Sequence, residues 1–115
     1  MEQDRVDALI VSDQPENITH RQLIVNLAAK SQISTIYPYR DHVALGGLMA
    51  YFVDLDDVAR QSANMVGEIL KGTNPADMPF YQRTKFQLVI NVKTAKALGL
   101  EIPPALLLRA DEVIE

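Results

Sequence analysis

The sequence predicts an α/β fold, a mainly parallel sheet flanked by helices, and three observations carry that prediction. Short apolar runs with strand character alternate with stretches of helical periodicity. Cap and turn residues stand at nearly every junction between them. The chain has 115 residues, which suits one domain with one core and leaves no room for two.

Val6 to Val11 is a nearly continuous apolar run closed by the turn-rich Ser12-Asp13-Gln14-Pro15, and reads as a buried parallel strand. Thr19 and Gln22 have the spacing of a capping box. Leu23, Leu27, Ala28 and Ser31 follow at helical intervals, so a helix is expected over residues 19–31. Ser34-Thr35-Ile36-Tyr37 is rich in β-branched and aromatic residues, and Pro38 ends it because proline offers no N–H to a ladder. Asp41 to Leu45 fits one or two helical turns ended by Gly46-Gly47, and Leu48 to Phe52 is a third strand.

The clearest helix comes next. Asp54 stands as its N-cap, Asp56 and Asp57 in its first turn, Lys71 in its last, and Gly72 just beyond. Leu55, Val58, Ala59, Ser62, Ala63, Val66, Ile69 and Leu70 form an apolar stripe that must pack on something. Thr73 to Met78 is a loop, and Phe86 to Ile90 a fourth strand. Asn91 caps a short helix from Val92 to Leu98, stopped by Gly99. Pro103-Pro104 starts one more helical turn, Ala105 to Leu108, and residues 111–115 close the chain as an edge strand.

Hydrophobic residues make up 48% of the chain and charged residues 23%, an ordinary globular balance that argues against disorder. The net charge of −4 leaves no basic surface for a phosphate backbone or an anionic membrane, so nucleic acid and lipid are poor partners. Without cysteine, a disulfide framework, a thiolate nucleophile and a thiolate zinc site are all excluded. Met1 to Arg5 is an acidic start without the features of a secretory signal, which as written implies a cytoplasmic product. The apolar runs fall far short of the ~20 residues of a membrane helix, and the chain reads as soluble.

Ligands of open α/β sheets bind beyond the carboxyl ends of the strands. Three places follow. Ser12, Asp13 and Gln14 trail the first strand: a carboxylate there suits an α-ammonium and the hydroxyl and amide can orient it, while the bland reading is a turn leading into a helix. Tyr37, Tyr39 and Arg40 trail the second. Their rings could stack on a flat ligand and the guanidinium could fork a carboxylate, or Tyr37 is core and Arg40 is solvated or pairs with Asp41. Tyr51, on the third, could line a cleft or an interface.

His20 and His42 lack converging partners and read as surface histidines; the five glycines form no nucleotide fingerprint. No metal or cofactor is implied. No nucleophile stands with a base and no catalytic carboxylate pair is recognisable, so the chain is not expected to be an enzyme.

Several linked segments resemble one family. Gly46-Gly47-Leu48-Met49-Ala50-Tyr51, Glu68-Ile69-Leu70-Lys71-Gly72, Pro75-Ala76-Asp77-Met78-Pro79, residues 84–91, residues 93–100 and the closing Ile102-Pro103-Pro104, then Leu107 and Arg109 to Glu115, occur in the right order. They resemble the C-terminal portion of ABC-transporter substrate-binding proteins related to the tryptophan/tyrosine-binding group. The resemblance implies part of one lobe of a type I periplasmic-binding-protein fold, a small amino-acid-like ligand, an ABC permease as partner, and an extracytoplasmic location. It also sets Ser12-Asp13-Gln14 where the group has a Thr-Asp-Asn-like segment facing its ligand. The first lobe and the leader of such proteins do not occur in these residues, so weak or no ligand binding by the monomer is expected. Two other classes stand beside this one: a fragment that forms a homo-oligomer, with Asp54 to Lys71 as its first interface, and a receiver-like signalling domain built on Asp13.

Overall fold

The computed structural model describes residues 6–115, and expectations resting on Met1 to Arg5 lie outside them. Among the described residues five strands form one sheet in the order β1-β2-β3-β4-β5: β1 Ala8–Ile10, β2 Ser34–Tyr37, β3 Met49–Val53, β4 Phe86–Asn91 and β5 Glu112–Ile114. The pairs β1–β2, β2–β3 and β4–β5 are parallel. Between β3 and β4 the direction reverses. The Asn91 N–H donates to the Leu48 carbonyl (2.8 Å) at one end and the Asp54 N–H donates to the Lys85 carbonyl (2.9 Å) at the other, which only antiparallel neighbours can do. The sheet is thus α/β and mostly parallel, as the alternating pattern predicts.

The helices are α1 Pro15–Thr19, α2 Arg21–Lys30, α3 Arg40–Ala44, α4 Leu55–Leu70, α5 Val92–Ala97 and α6 Pro104–Arg109, with a 3-10 turn at Pro75–Asp77. The helix expected over 19–31 is found as α2, starting after His20, while Thr19 ends the separate α1, and the capping box does not form. The Thr19 hydroxyl donates back to the Pro15 carbonyl (2.9 Å) as the last residue of α1, because Pro15 had already started a helix. The other caps form as their residue types require. The Asp54 carboxylate accepts from the Asp57 N–H (3.1 Å), and the Asn91 side chain accepts from the Thr94 N–H (3.0 Å).

The chain divides into two compact units, Met1–Phe52 with Gln87–Glu115, and Val53–Phe86. The segment after Phe86 therefore returns to the unit that holds β1. In this first unit the core is Val11, Val25, Tyr37, Val43, Ala50 and Val89, with Leu9, Ile24, Phe52 and Ile114 packed against it. Register sorts the strands by face. Leu9 pairs with Thr35 and Tyr37 with Ala50 on the packed side, whereas Ile10, Ile36 and Met49 form a row on the other, where Ile10 is 80% exposed.

The second unit is built around α4. Asp57 is its buried residue, and the carboxylate accepts from the Tyr81 hydroxyl (2.6 Å) and pairs with Lys85 (3.3 Å), tying the segment before β4 to the first turn of the helix. Leu55, Val66, Ile69 and Leu70, from the predicted apolar stripe, are exposed.

Candidate functional site

Because β1 and β2 are parallel neighbours with Ile10 opposite Ile36, the segments that follow them leave the same edge of the sheet side by side. The Val11 N–H donates to the Ile36 carbonyl (3.0 Å) and carries the pairing to the mouth of the first loop. Ser12, Asp13 and Gln14 are all exposed there. Gln14 has an extended backbone and caps α1 with its carbonyl, which accepts from the N–H groups of Asn17 (3.0 Å) and Ile18 (3.2 Å). The Asn17 side-chain amide donates to both the carbonyl (3.1 Å) and the hydroxyl (3.0 Å) of Ser12. One helical turn thus fixes the loop from behind, while the Asp13 carboxylate takes no part in a hydrogen bond or ion pair among the described residues. A fixed backbone presenting an unspent carboxylate is the arrangement that captures a cation at small cost in ordering.

The second loop sorts its three candidates differently. Tyr37 is core: its side chain is 2% exposed and stacks on His42 with ring centroids 5.2 Å apart, and burial pushes its phenol above the ordinary range. Tyr39, half-buried and extended in backbone, starts α3. Arg40 donates from Nε and Nη2 to the two carboxylate oxygens of Glu112 on β5, each at 2.6 Å, and not to the adjacent Asp41. The paired guanidinium holds the Glu112 carboxyl below the usual carboxylate range, and Glu112 raises Arg40 in return. Its fork is already taken. Tyr51 lies one position beyond Ala50, so it belongs to the opposite face of the sheet from Tyr37, and is 53% exposed. Ser12, Asp13, Gln14 and Tyr39 are the candidates that the fold brings together at one edge with their side chains accessible.

Two further residues, neither of them predicted as part of the site, flank this edge. Glu112 lies too far from Arg40 along the chain for any local pattern to join them. His42, expected at the surface, is completely buried, because α3 turns that side of the helix onto Tyr37. The apolar run Val43-Ala44-Leu45 beside it is the one local hint of burial. Burial holds the imidazole below its ordinary range. A cavity of about 200 Å³ in the same unit is lined by Val25 and Ala28 of α2, Tyr37 of β2, Leu48, and Thr94 and Ala97 of α5 among others. Among the described residues no group of three or more His, Asp or Glu could hold a metal ion, and no helix is long and apolar enough to cross a membrane.

Residues 2–114 match the family described as ABC transporter substrate binding protein. Among solved structures, the chain is similar to the ABC domain in complex with L-Trp from Streptococcus pneumonia, with 29% identity, a TM-score of 0.82, and coverage of 98% of this chain and 39% of that one. It is also similar to a conserved domain protein from Vibrio cholerae O1 biovar El Tor (23% identity, TM-score 0.83, 96% and 37% covered). A third is the ligand-free, open structure of CD0873, a substrate-binding protein with adhesive properties from Clostridium difficile (22% identity, TM-score 0.72, 96% and 37% covered). The chain therefore spans less than two fifths of the length of these proteins. No curated protein matches it.

Proposed function

The chain belongs to the ABC transporter substrate-binding family, and from that premise we propose that it forms one wall of a site for a small, amino-acid-like ligand. The observation that carries the reading is the pair of adjacent parallel strand ends that present Ser12, Asp13, Gln14 and Tyr39 on one edge. Asp13 receives the ligand ammonium, Ser12 and Gln14 orient its polar groups, and the Tyr39 ring offers a face to an apolar or aromatic side chain. Tyr37 backs the site from the core. Arg40 joins it only by giving up Glu112, and Tyr51 lies on the other face of the sheet. The role is binding, without a reaction or a cofactor. In a protein of its relatives' length the ligand would be bound outside the cytoplasm, held between two walls, and handed to a membrane permease; closure is favoured because the ligand binds the closed state better. The likeness to a protein solved with L-Trp supports the ligand class.

With one wall alone, binding is expected to be weak, roughly millimolar, or about −4 kcal/mol. Titrating the chain with L-tryptophan, L-tyrosine and L-leucine while following amide resonances tests the reading. Shifts concentrated at residues 12–14 and 37–40, lost in Asp13→Asn, are expected. Shifts confined to other segments, or an unchanged response in Asp13→Asn, would refute it.

The exposed Leu55, Val66, Ile69 and Leu70 of α4 favour a second reading, self-association through the second unit. Light scattering at micromolar concentration decides it: a strictly monomeric mass removes the homo-oligomer.

A further inference from the structure

Neither ring nitrogen of the buried His42 has a hydrogen-bond partner among the described residues. Buried polar atoms without partners are rare in folded proteins, and each one asks for a reason. The place of this one suggests it. The main-chain oxygens of Asn17, on α1, and of Tyr39, ahead of α3, face the imidazole without closing a bond of good geometry. Asn17 is the residue whose amide grips Ser12, and Tyr39 belongs to the second loop of the candidate edge. The ring therefore stands between the two segments that build that edge, stacked on Tyr37 of β2 beneath it.

The charged groups that face it are Arg21 from α2, which opposes a proton on the ring, and Asp41 from its own helix, which favours one; β2 contributes the neutral phenol of Tyr37. Burial outweighs the favourable contacts, so the folded chain prefers the uncharged imidazole.

We propose that His42 is a positioning residue: uncharged, it wedges the Asn17 end of α1 against the Tyr39 segment, and on taking up a proton it leaves its place so that both loops loosen together and ligand is released in acid. The sign follows from the direction of the perturbation. A group whose folded value is depressed contributes fully above its ordinary value, about 6.5 for imidazole, and that contribution is lost as pH falls from there through the folded value. The clause on ligand release rests on the binding reading above. The coupling of the loops does not.

The test uses the whole chain without ligand. Imidazole and amide resonances are followed between about pH 7.5 and 5, the interval in which an imidazole switches, with the exposed His20 as a second, solvated ring in the same spectra. The amides of Ser12, Asp13, Asn17, Tyr39 and Arg40 are expected to move with the His42 midpoint and to exchange at least about tenfold faster once it is crossed, as local opening requires. His42→Phe keeps an aromatic ring on Tyr37 and cannot be protonated, so the response should vanish in it; His42→Gln serves the same purpose if the larger ring does not fit. The proposal falls if these amides stay silent while His42 titrates, if they respond equally in either folded variant, or if His42 does not titrate before global unfolding. Should neither variant fold, the wild-type titration alone decides. Failure here leaves the ligand reading standing, and a ligand titration without shifts leaves this coupling untouched.

Discussion

Arg40 and Glu112 grip each other through two hydrogen bonds of 2.6 Å, one from Nε and one from Nη2, although they are 72 residues apart in the chain. The pair joins the start of α3 to β5 across the first unit, and it spends the guanidinium that would otherwise be offered to a ligand carboxylate. Both side chains are substantially exposed, at 50% and 38%, so solvent and salt weaken the attraction. Glu112→Gln should lower the urea midpoint only slightly in low salt, with the difference disappearing near about 1 M salt, where charges are screened within ~3 Å. Because Glu112 has a depressed folded value, its contribution is fully present above the ordinary carboxylate value of about 4.3 and is lost as pH falls from there through the folded value. Midpoints measured across that interval at both salt concentrations check the direction.

Gly47 and Gly67 should answer the same substitution in opposite ways. A Cβ at Gly47 would lie 2.7 Å from Tyr37 Cε2 and 2.8 Å from the His42 carbonyl oxygen, neither of which can move aside cheaply. Gly47→Ala should therefore destabilise by about 1–3 kcal/mol. At Gly67, inside α4, nothing lies within 4 Å, and alanine should stabilise by about 1 kcal/mol through helix propensity alone. Denaturation of the two variants against the parent settles both signs.

The second unit depends on a buried carboxylate. Asp57 is 5% exposed and accepts from Tyr81 and Lys85, whose contacts hold its carboxyl below the usual range. Asp57→Ala and Tyr81→Phe should free the segment ahead of β4, and trypsin should cut after Arg83 and Lys85 faster than in the parent. An unchanged cleavage pattern would show that the segment is held by something else. The carboxylate contributes above its ordinary range of about 3.9, and its hold is lost as pH falls from there through the depressed folded value.

Asn91 closes β4 and starts α5 in one residue, accepting from the Thr94 N–H while 93% hidden from solvent in relative terms, since its exposure is 7%. Asn91→Ala should cost about 0.5–2 kcal/mol. Asn91→Ser, which keeps an acceptor, should recover part of that loss in the same denaturation assay.

Much of this architecture was legible in the chain because the relevant signals are local. Pro38 after Tyr37, Gly46 with φ +110°, Gly72 with φ +110°, Asp54 and Asn91 each mark an element boundary through their own backbone chemistry, and each boundary falls within a residue or two of expectation. Thr19 misled because Pro15 upstream starts its own helix, and a capping residue inside a turn bonds backward. The reversal between β3 and β4 could not be read, since residues 54–85 intervene and no periodicity reports strand direction.

At the candidate site the divide is the same. Ser12, Asp13 and Gln14 are accessible at a strand end because the turn chemistry that flagged them also keeps them at the surface. Tyr37 and His42 went the other way, into the interior, because which side of a four-residue strand or a five-residue helix meets the core is set by distant segments.

The reversal of β4 has one more consequence. Asp54 and Lys85 meet as hydrogen-bonded neighbours just beyond the ends of β3 and β4, so everything from Leu55 to Thr84 is topologically an insert in a β-hairpin. Entropy charges such an excursion only weakly for its length, about 0.6 kcal/mol per doubling, which makes the hairpin a tolerant socket. Excising the insert and bridging residues 54 and 85 with an Asn-Gly turn would leave every strand its present neighbours, in a miniature of the sheet that carries only the first unit.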